Sequence, residues 1–411
     1  MHQGEYGPGI QKAISLLIQY GELFCAKKLV SVAHCHISPD IPNALLEKYT
    51  EGVDRVKPIC SLHPCLYPEE AERIIGRKIT DQDCMADGYV TLDPEEYTFR
   101  MDLFKKLGFL PTSTCVPYLI GLVPRPNDIV AWTGSGGQVT SNSVFGAKAN
   151  RDGHSSALAS AVTGKTPDIS LIRRENRNAQ VVFRVDELDT QKFNIGDYGA
   201  LGYYIGLSAG TRNAAIDGLN DDMTLEQCKY LLSPLPVSGG CTLCHIIGVT
   251  PEAPTLAQAL GGKQAEETIT VRKNDIEDIY HKLTTAKRNQ VDLVIFGCPH
   301  LTIQEIKNVA LVLADKKVHE GTRLMLATAK PIYHLAKTAG FVDLIEQAGG
   351  EFVDICVATG NPLIYLSDVN VVMTNSTRAA HYIVRMTNEK VQTIYADTVF
   401  CLDAAITGKA V

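Results

Sequence analysis

Three cysteines stand where the sequence could do chemistry. Cys298 lies in VDLVIFGCPH (residues 291–300), Cys115 in PTSTCVPY and Cys356 in VDICVATGNP. Each follows a strand-like run or a turn and sits beside proline or glycine, at Pro117, Pro299 and Gly360. A reactive group at the carboxyl end of a buried strand, just before a helix, is the usual arrangement in open α/β sheets. Three thiolates from distant positions could hold an iron-sulfur cluster and leave one iron without a protein ligand. Such an iron is a Lewis acid. It could bind a substrate hydroxyl and carboxylate and make hydroxide a leaving group. The alternative for each cysteine is a buried thiol that only fills space.

Other polar residues fall at similar places. His245, in CTLCHIIGVTPEA, ends an apolar run before a loop and could act as acid or base, or be a hydrogen-bonded core residue. Glu252 could cap the next segment or reach a site. SNSVFGAKANRDG brings Ser141, Asn142, Ser143 and Arg151 into one stretch. These would suit an anionic substrate, with Arg151 as a carboxylate fork; ordinary turn chemistry is the alternative. Thr374, Asn375 and Ser376 precede a helix with Arg378 in its first turn. Helix N-termini attract anions, and an arginine there opposes the helix dipole. Simple capping by Asn375 would leave the same pattern. His36 with Ser38 ends a strand and forms a further candidate. His34, Cys35 and His36 cannot all face one ion, because side chains alternate along a strand. Cys241 and Cys244 form a C-x-x-C with no second pair to complete a zinc set, so both are expected in the core. WTGSGG is no dinucleotide fingerprint, and no Walker motif occurs.

The elements that must position these residues alternate. Residues 10–24 carry apolar side chains at helical spacing, 29–33 read as a strand leading into His34, 43–52 as a helix and 56–60 as a strand. Residues 69–77 and 93–107 read as helices, the second capped by Asp93. From 291 the alternation is clean: strand to 296, helix 302–315, strand 323–327, helix 331–338, strands at 352–354 and 370–372. Asn375 is expected to cap a helix to 384, and Asp397 a last one. Such alternation means mostly parallel sheets covered by helices. Residues 108–153 are rich in turn formers but interleaved with Cys115, Tyr118, Trp132 and Phe145, which argues for an ordered site over a linker.

A chain of 411 residues suggests two or three domains. Limits are placed near 1–110, 111–285 and 286–411. Hydrophobic residues make up 45%, enough for a large core, and the net charge is −7. That charge disfavours general affinity for nucleic acid or anionic membrane. No apolar run approaches the ~20 residues a membrane span needs, and the N-terminus lacks a signal-peptide layout. A cytoplasmic location is expected, with no nucleic-acid or membrane partner. The twelve cysteines are too few for a disulfide scaffold. In a reducing compartment they would be fillers, metal ligands or catalysts.

Seven blocks occur in order: GEYGPGIQKA, TCVPYL, SNSVFGAKANRDG, AVTGKTP, HIIGVTPEAPT, FGCPH and TNSTRAAHY. Together they resemble the catalytic, large subunit of the aconitase X family, over nearly the whole chain. That family includes phosphomevalonate dehydratase large subunits and cis-3-hydroxy-L-proline dehydratases. The resemblance implies an α/β, aconitase-like fold: several mostly parallel sheets covered by helices around a central cleft. It implies that the swivel domain lies on a separate small subunit, which could also carry the base. It implies an iron-dependent hydro-lyase with Cys115, Cys298 and Cys356 holding a four-iron or two-iron iron-sulfur cluster, or a single iron. In this chain His245 and Glu252 are the candidate catalytic residues. The small anionic substrate is expected to be cis-3-hydroxy-L-proline, because the composition lacks the Lys/Glu enrichment of hyperthermophiles; 5-phosphomevalonate is the alternative. A non-catalytic aconitase-like scaffold is the reading of another class. In three places the chain departs from the relatives' usual pattern. Gly134, Ser135 and Gly136 replace a Glu-Ser-Ser-type stretch, Cys60 to Pro64 replace Thr-Thr-Leu-Asn-Pro, and Arg378 replaces lysine. All three places are expected to face the substrate.

Overall fold

The computed structural model describes residues 1–80, 93–358, 366 and 368–410, so Gly360 lies outside the described residues. Strands are numbered in chain order. β1 (Leu29–Ser31) pairs antiparallel with β6 (Lys165–Pro167). The first sheet contains β2 (His34–Ile37), β3 (Ile59–Leu62), β4 (Ile129–Trp132) and β5 (Lys148–Ala149), in the order β3-β2-β4-β5. The second contains β7 (Val181–Arg184), β8 (Ala214–Asp217), β9 (Cys244–Ile246) and β10 (Glu267–Thr270), ordered β10-β7-β8-β9. The third contains β11 (Leu293–Phe296), β12 (Arg323–Ala327), β13 (Gly350–Val353), β14 (Val371–Thr374) and β15 (Gln392–Tyr395), ordered β13-β12-β11-β14-β15. Every pairing within these three sheets is parallel. The α/β fold is the expected one.

β11 shows why. All four of its residues are buried, as a parallel strand covered on both faces requires, so its sequence is continuously apolar instead of alternating. Val294 and Phe296 pack in one core with Ile306, Val309 and Leu313, while Leu293 and Ile295 join Cys298, Cys356 and Ile383 in another. The helix Ile303–Leu313 begins with a reciprocal cap: Thr302 Oγ1 accepts from the Glu305 N–H, and Glu305 Oε2 accepts from the Thr302 N–H. Between strand and helix the chain must turn sharply. Gly297 has φ +103, and a Cβ there would stand 2.2 Å from the Ala327 carbonyl oxygen. Only glycine fits. The next peptide bond, Cys298–Pro299, is cis.

Several elements differ from expectation. WTGSGGQVTSNS contains a helix, Ser135–Ser143, where only turn chemistry was expected. Its small side chains are poor helix formers, but residues 137–143 are all buried. Gly137 packs so close to the Trp132 ring that a Cβ would stand 3.2 Å away. Tertiary packing overrides propensity here. The cap of the helix Thr377–Met386 is Ser376, whose Oγ accepts from the Ala379 N–H, not Asn375. The expected strand 29–33 is split, and its continuation at His34–Ile37 is the fully buried inner strand of the first sheet. β3 begins three residues later than expected. The expected limit near residue 110 falls between β3 and β4, which belong to one sheet. Among the described residues no helix is long and apolar enough to cross a membrane.

Candidate active site

A cavity of about 470 Å³ opens where strand ends of the first and third sheets face each other. Its lining comes from the carboxyl ends of parallel strands: Ser38 and Asp40 after β2, His63 after β3, Thr133 to Gly137 after β4, Gly297 to His300 after β11 and Cys356 to Ala358 after β13. Cys115 lies on the segment between β3 and β4, and Arg378 and Tyr382 on the helix after β14. Cys115, Cys298 and Cys356 all line this one cavity, and none is in a disulfide.

The three cysteine segments are tied together. The His300 N–H donates to Cys115 Sγ at 3.3 Å. The His300 ring reaches the third segment, its Nε2–H donating to the Ile355 carbonyl at 2.9 Å. Burial lowers the His300 pKa, which keeps the ring neutral. Ser376 Oγ donates to the Cys298 carbonyl. From below, the fully buried Lys229 ammonium donates to the His300 carbonyl at 3.1 Å and is paired with Glu305. Burial, then the neighbouring Cys356 thiol, push Cys115 up to about 12. Burial also raises Cys298. As donors the three thiols fit a thiophilic metal group. Among the described residues, however, no three Cys, His, Asp or Glu side chains converge tightly enough to hold one metal ion.

Arg378 supplies positive charge. Its Nη1 donates to the Ser233 carbonyl at 2.8 Å and to Ser135 Oγ at 3.3 Å, and its guanidinium lies over the Tyr382 ring. Burial opposes its charge, but Cys298, Tyr382 and the other two thiols raise its pKa on balance. It is the lone Lys or Arg among the described lining residues.

Ser38 and Arg378 thus join the three cysteines at the cavity, whereas the other expected site residues do not line it. His36 lies one layer behind, fully buried, with Nδ1 bonded to Ser61 Oγ at 2.8 Å. Asn142 bridges the backbone: its amide donates to the Ala149 and Thr242 carbonyls and its oxygen accepts from the Ala149 N–H. Ser143 accepts from the Cys244 N–H, and Ser141 is buried beside it. Arg151 is exposed and lies near Gly240. Thr374, Asn375 and Ser376 are buried. Asn375 donates to Thr398 and faces Tyr230, and Ser376 holds the Cys298 carbonyl, so the side chains of this stretch brace the Cys298 loop. His245 donates from Nε2 to the Arg177 carbonyl. Glu252 is paired with the buried Arg177, which also binds Asn142 and the Leu171 carbonyl. Cys241 and Cys244 are core residues.

The places where the chain departs from the relatives' pattern do reach the cavity: His63, Gly134, Ser135, Gly136 and Arg378 all line it. Asp40, Thr133, His154 and Tyr382 were missed as lining residues. Asp40 follows Ser38 by two positions, which was the available signal; the others carried none.

Comparison with known proteins agrees with this architecture. Family models of the first, second and third domains of aconitase X match residues 79–175, 179–281 and 291–407. The phosphomevalonate dehydratase large subunit of Methanothermobacter thermautotrophicus is 31% identical over 93% of this chain and 92% of its own length. That of Methanocaldococcus jannaschii is 30% identical over 92% of each. The cis-3-hydroxy-L-proline dehydratase of Pseudomonas aeruginosa is 27% identical over 99% of this chain and 69% of its own length. The crystal structure of Thermococcus kodakaraensis aconitase X in its holo-form superposes with a TM-score of 0.81 at 26% identity, covering 98% of this chain and 97% of that one.

Proposed function

This chain belongs to the aconitase X family, and we propose that it is the catalytic subunit of an iron-dependent dehydratase acting on a small hydroxy acid, with cis-3-hydroxy-L-proline as the first candidate. Its class is that of a hydro-lyase of the aconitase superfamily.

The observation that carries the reading is the meeting of Cys115, Cys298 and Cys356 with Arg378 in one cavity. The three cysteines would hold the iron. In a cluster each of the three thiolates would take its own iron. When bound, such a centre supplies an iron with a vacant coordination place, a Lewis acid that weakens the carbon–oxygen bond to be broken. Arg378 holds the substrate carboxylate, its own orientation fixed by Ser135 and the Ser233 carbonyl. Ser38 and Thr133 line the same wall, with the Ser38 hydroxyl donating to Asp40 and the Thr133 hydroxyl to the His36 carbonyl. His245 and Glu252 are turned elsewhere, so the acceptor of the α-proton is assigned to a small partner subunit. The relatives' names as large subunits support such a partner. Among the described lining residues one Lys or Arg, Arg378, is present, which suits one carboxylate rather than a carboxylate with a phosphate and so favours the hydroxy-imino acid.

One observation favours 5-phosphomevalonate as the second reading. The two phosphomevalonate dehydratase large subunits named above are 30% and 31% identical to this chain, against 28% and 27% for two cis-3-hydroxy-L-proline dehydratases.

The test is anaerobic co-expression with the small subunit, followed by iron analysis and dehydration assays on both acids. The expected result is brown, iron-containing protein that dehydrates cis-3-hydroxy-L-proline. Turnover of 5-phosphomevalonate alone would overturn the substrate, and iron-free, inactive protein would overturn the reading as a whole.

A further inference from the structure

His63 sits on the cavity wall in a state fixed by its surroundings. Its Nδ1–H donates to the Pro64 carbonyl at 3.0 Å. The ring proton is thereby held on Nδ1, and Nε2 carries a lone pair. Burial lowers the ring pKa to about 3, with His300, Arg378 and His154 also opposing a second proton. Behind His63 stands the buried His36 ring, 5.5 Å away between centroids and itself bonded to Ser61. The imidazole is backed on that side.

In front of it the wall is bare. Gly134 has φ −73 and ψ 111, a conformation open to any residue, so the backbone does not demand glycine there. Space favours it. A Cβ at position 134 would stand 3.1 Å from His63 Cδ2 and 3.3 Å from Nε2. Such contacts are tighter than most, so the imidazole would have to shift by a few tenths of an ångström, and a side chain there would crowd the ring edge that carries Nε2. One glycine turn further on, Gly136 borders the Arg378 guanidinium. The cavity therefore sets a neutral acceptor and a fixed cation along one short stretch of wall.

We propose that His63 is a specificity-determining residue: its Nε2 accepts a hydrogen bond from an N–H of the acid whose carboxylate Arg378 holds, and Gly134 is bare to leave that bond room. The inference rests on reading the cavity as the substrate site, not on which acid is dehydrated. A lone pair repels a second anionic group and rewards a donor, so the same atom selects amino or imino acids over their oxygen analogues.

The test compares two probes on the complex with the small subunit, co-expressed and purified anaerobically, by titration calorimetry. L-Proline carries the N–H; tetrahydrofuran-2-carboxylate has the same ring size and carboxylate with oxygen in its place. The wild-type chain should bind L-proline about tenfold more tightly or better. His63→Leu should erase that preference while leaving affinity for the oxygen analogue within about twofold, and His63→Gln, which keeps an acceptor, should restore part of it. Gly134→Ala tests the same point without touching the imidazole and should also narrow the preference. A preference that survives His63→Leu, or is absent from the wild type while both probes bind, overturns the role of His63. Failure of the wild type to bind either probe overturns the cavity reading beneath it.

Discussion

The backbone N–H of His300 donates to the sulfur of Cys115 across 3.3 Å. The two residues are far apart in the chain, and the same histidine holds the Ile355 carbonyl through its ring, one residue before Cys356. One residue next to the cis Cys298–Pro299 bond therefore sets the mutual placement of all three cysteine segments. Replacing His300 with phenylalanine keeps the bulk but orphans the buried Ile355 carbonyl. The expected cost is about 1–3 kcal/mol of stability, read from urea unfolding, together with less iron per chain.

Each of Cys115→Ser, Cys298→Ser and Cys356→Ser should abolish the brown colour of anaerobically purified protein and lower its iron content. Cys241→Ser and Cys244→Ser, at core positions away from the cavity, should leave colour and iron content intact. Colour retained in any of the first three would remove that cysteine from the ligand set.

Arg378→Gln should act on substrate binding before it acts on the fold. It removes the lone lining Lys or Arg among the described residues. Losing one charge-assisted pair raises KM by about 10- to 100-fold. Lysine at this position should recover part of the loss, because it keeps the charge but not the planar fork.

Glu252 is a structural partner in this arrangement. Arg177 is 3% exposed and donates to Glu252 through Nε and Nη2. Glu252→Ala leaves that buried guanidinium without its counter-charge, at a cost of up to about 3 kcal/mol. Chemical denaturation should show the loss, while KM for the dehydrated acid stays at the wild-type value. A large fall in turnover at unchanged stability would return Glu252 to the chemistry.

Asp152 makes the fold sensitive to pH. Burial raises its carboxyl to about 6, against a smaller lowering by the Ser156 hydroxyl. The folded state therefore holds the proton more tightly than the unfolded chain, whose carboxyl titrates near 4. Stability from this group is fully present below about pH 4 and declines as pH rises to about 6, by up to about 3 kcal/mol. Asp152→Asn should flatten that part of the stability–pH curve. An unchanged slope in the variant would show that the decline arises elsewhere.

Much of this was legible in the chain. The run 291–296 announces a doubly covered strand, and the glycine and proline flanking Cys298 announce a turn at its carboxyl end. The cavity lies at just such strand ends. What was not legible depends on which way a side chain turns. Thr374 to Ser376 read like an anion cradle, but Ser376 caps its own helix and binds the Cys298 carbonyl. Ser141 to Ser143 read like a polar loop, but they are the last turn of a buried helix whose composition hides it. His63 was legible only as part of the stretch Cys60 to Pro64 that departs from the relatives' pattern; its exact place is set by β3 lying beside β2 in parallel register.

The order in which the three sulfurs occur along the chain has a bearing on biosynthesis. Cys115 belongs to the early part of the polypeptide, while Cys298 and Cys356 arrive with the last sheet. A nascent chain can present at most two of the three until Cys356 has been made, after three of the five strands of that sheet. On the reading given above, metal loading is a late event in synthesis.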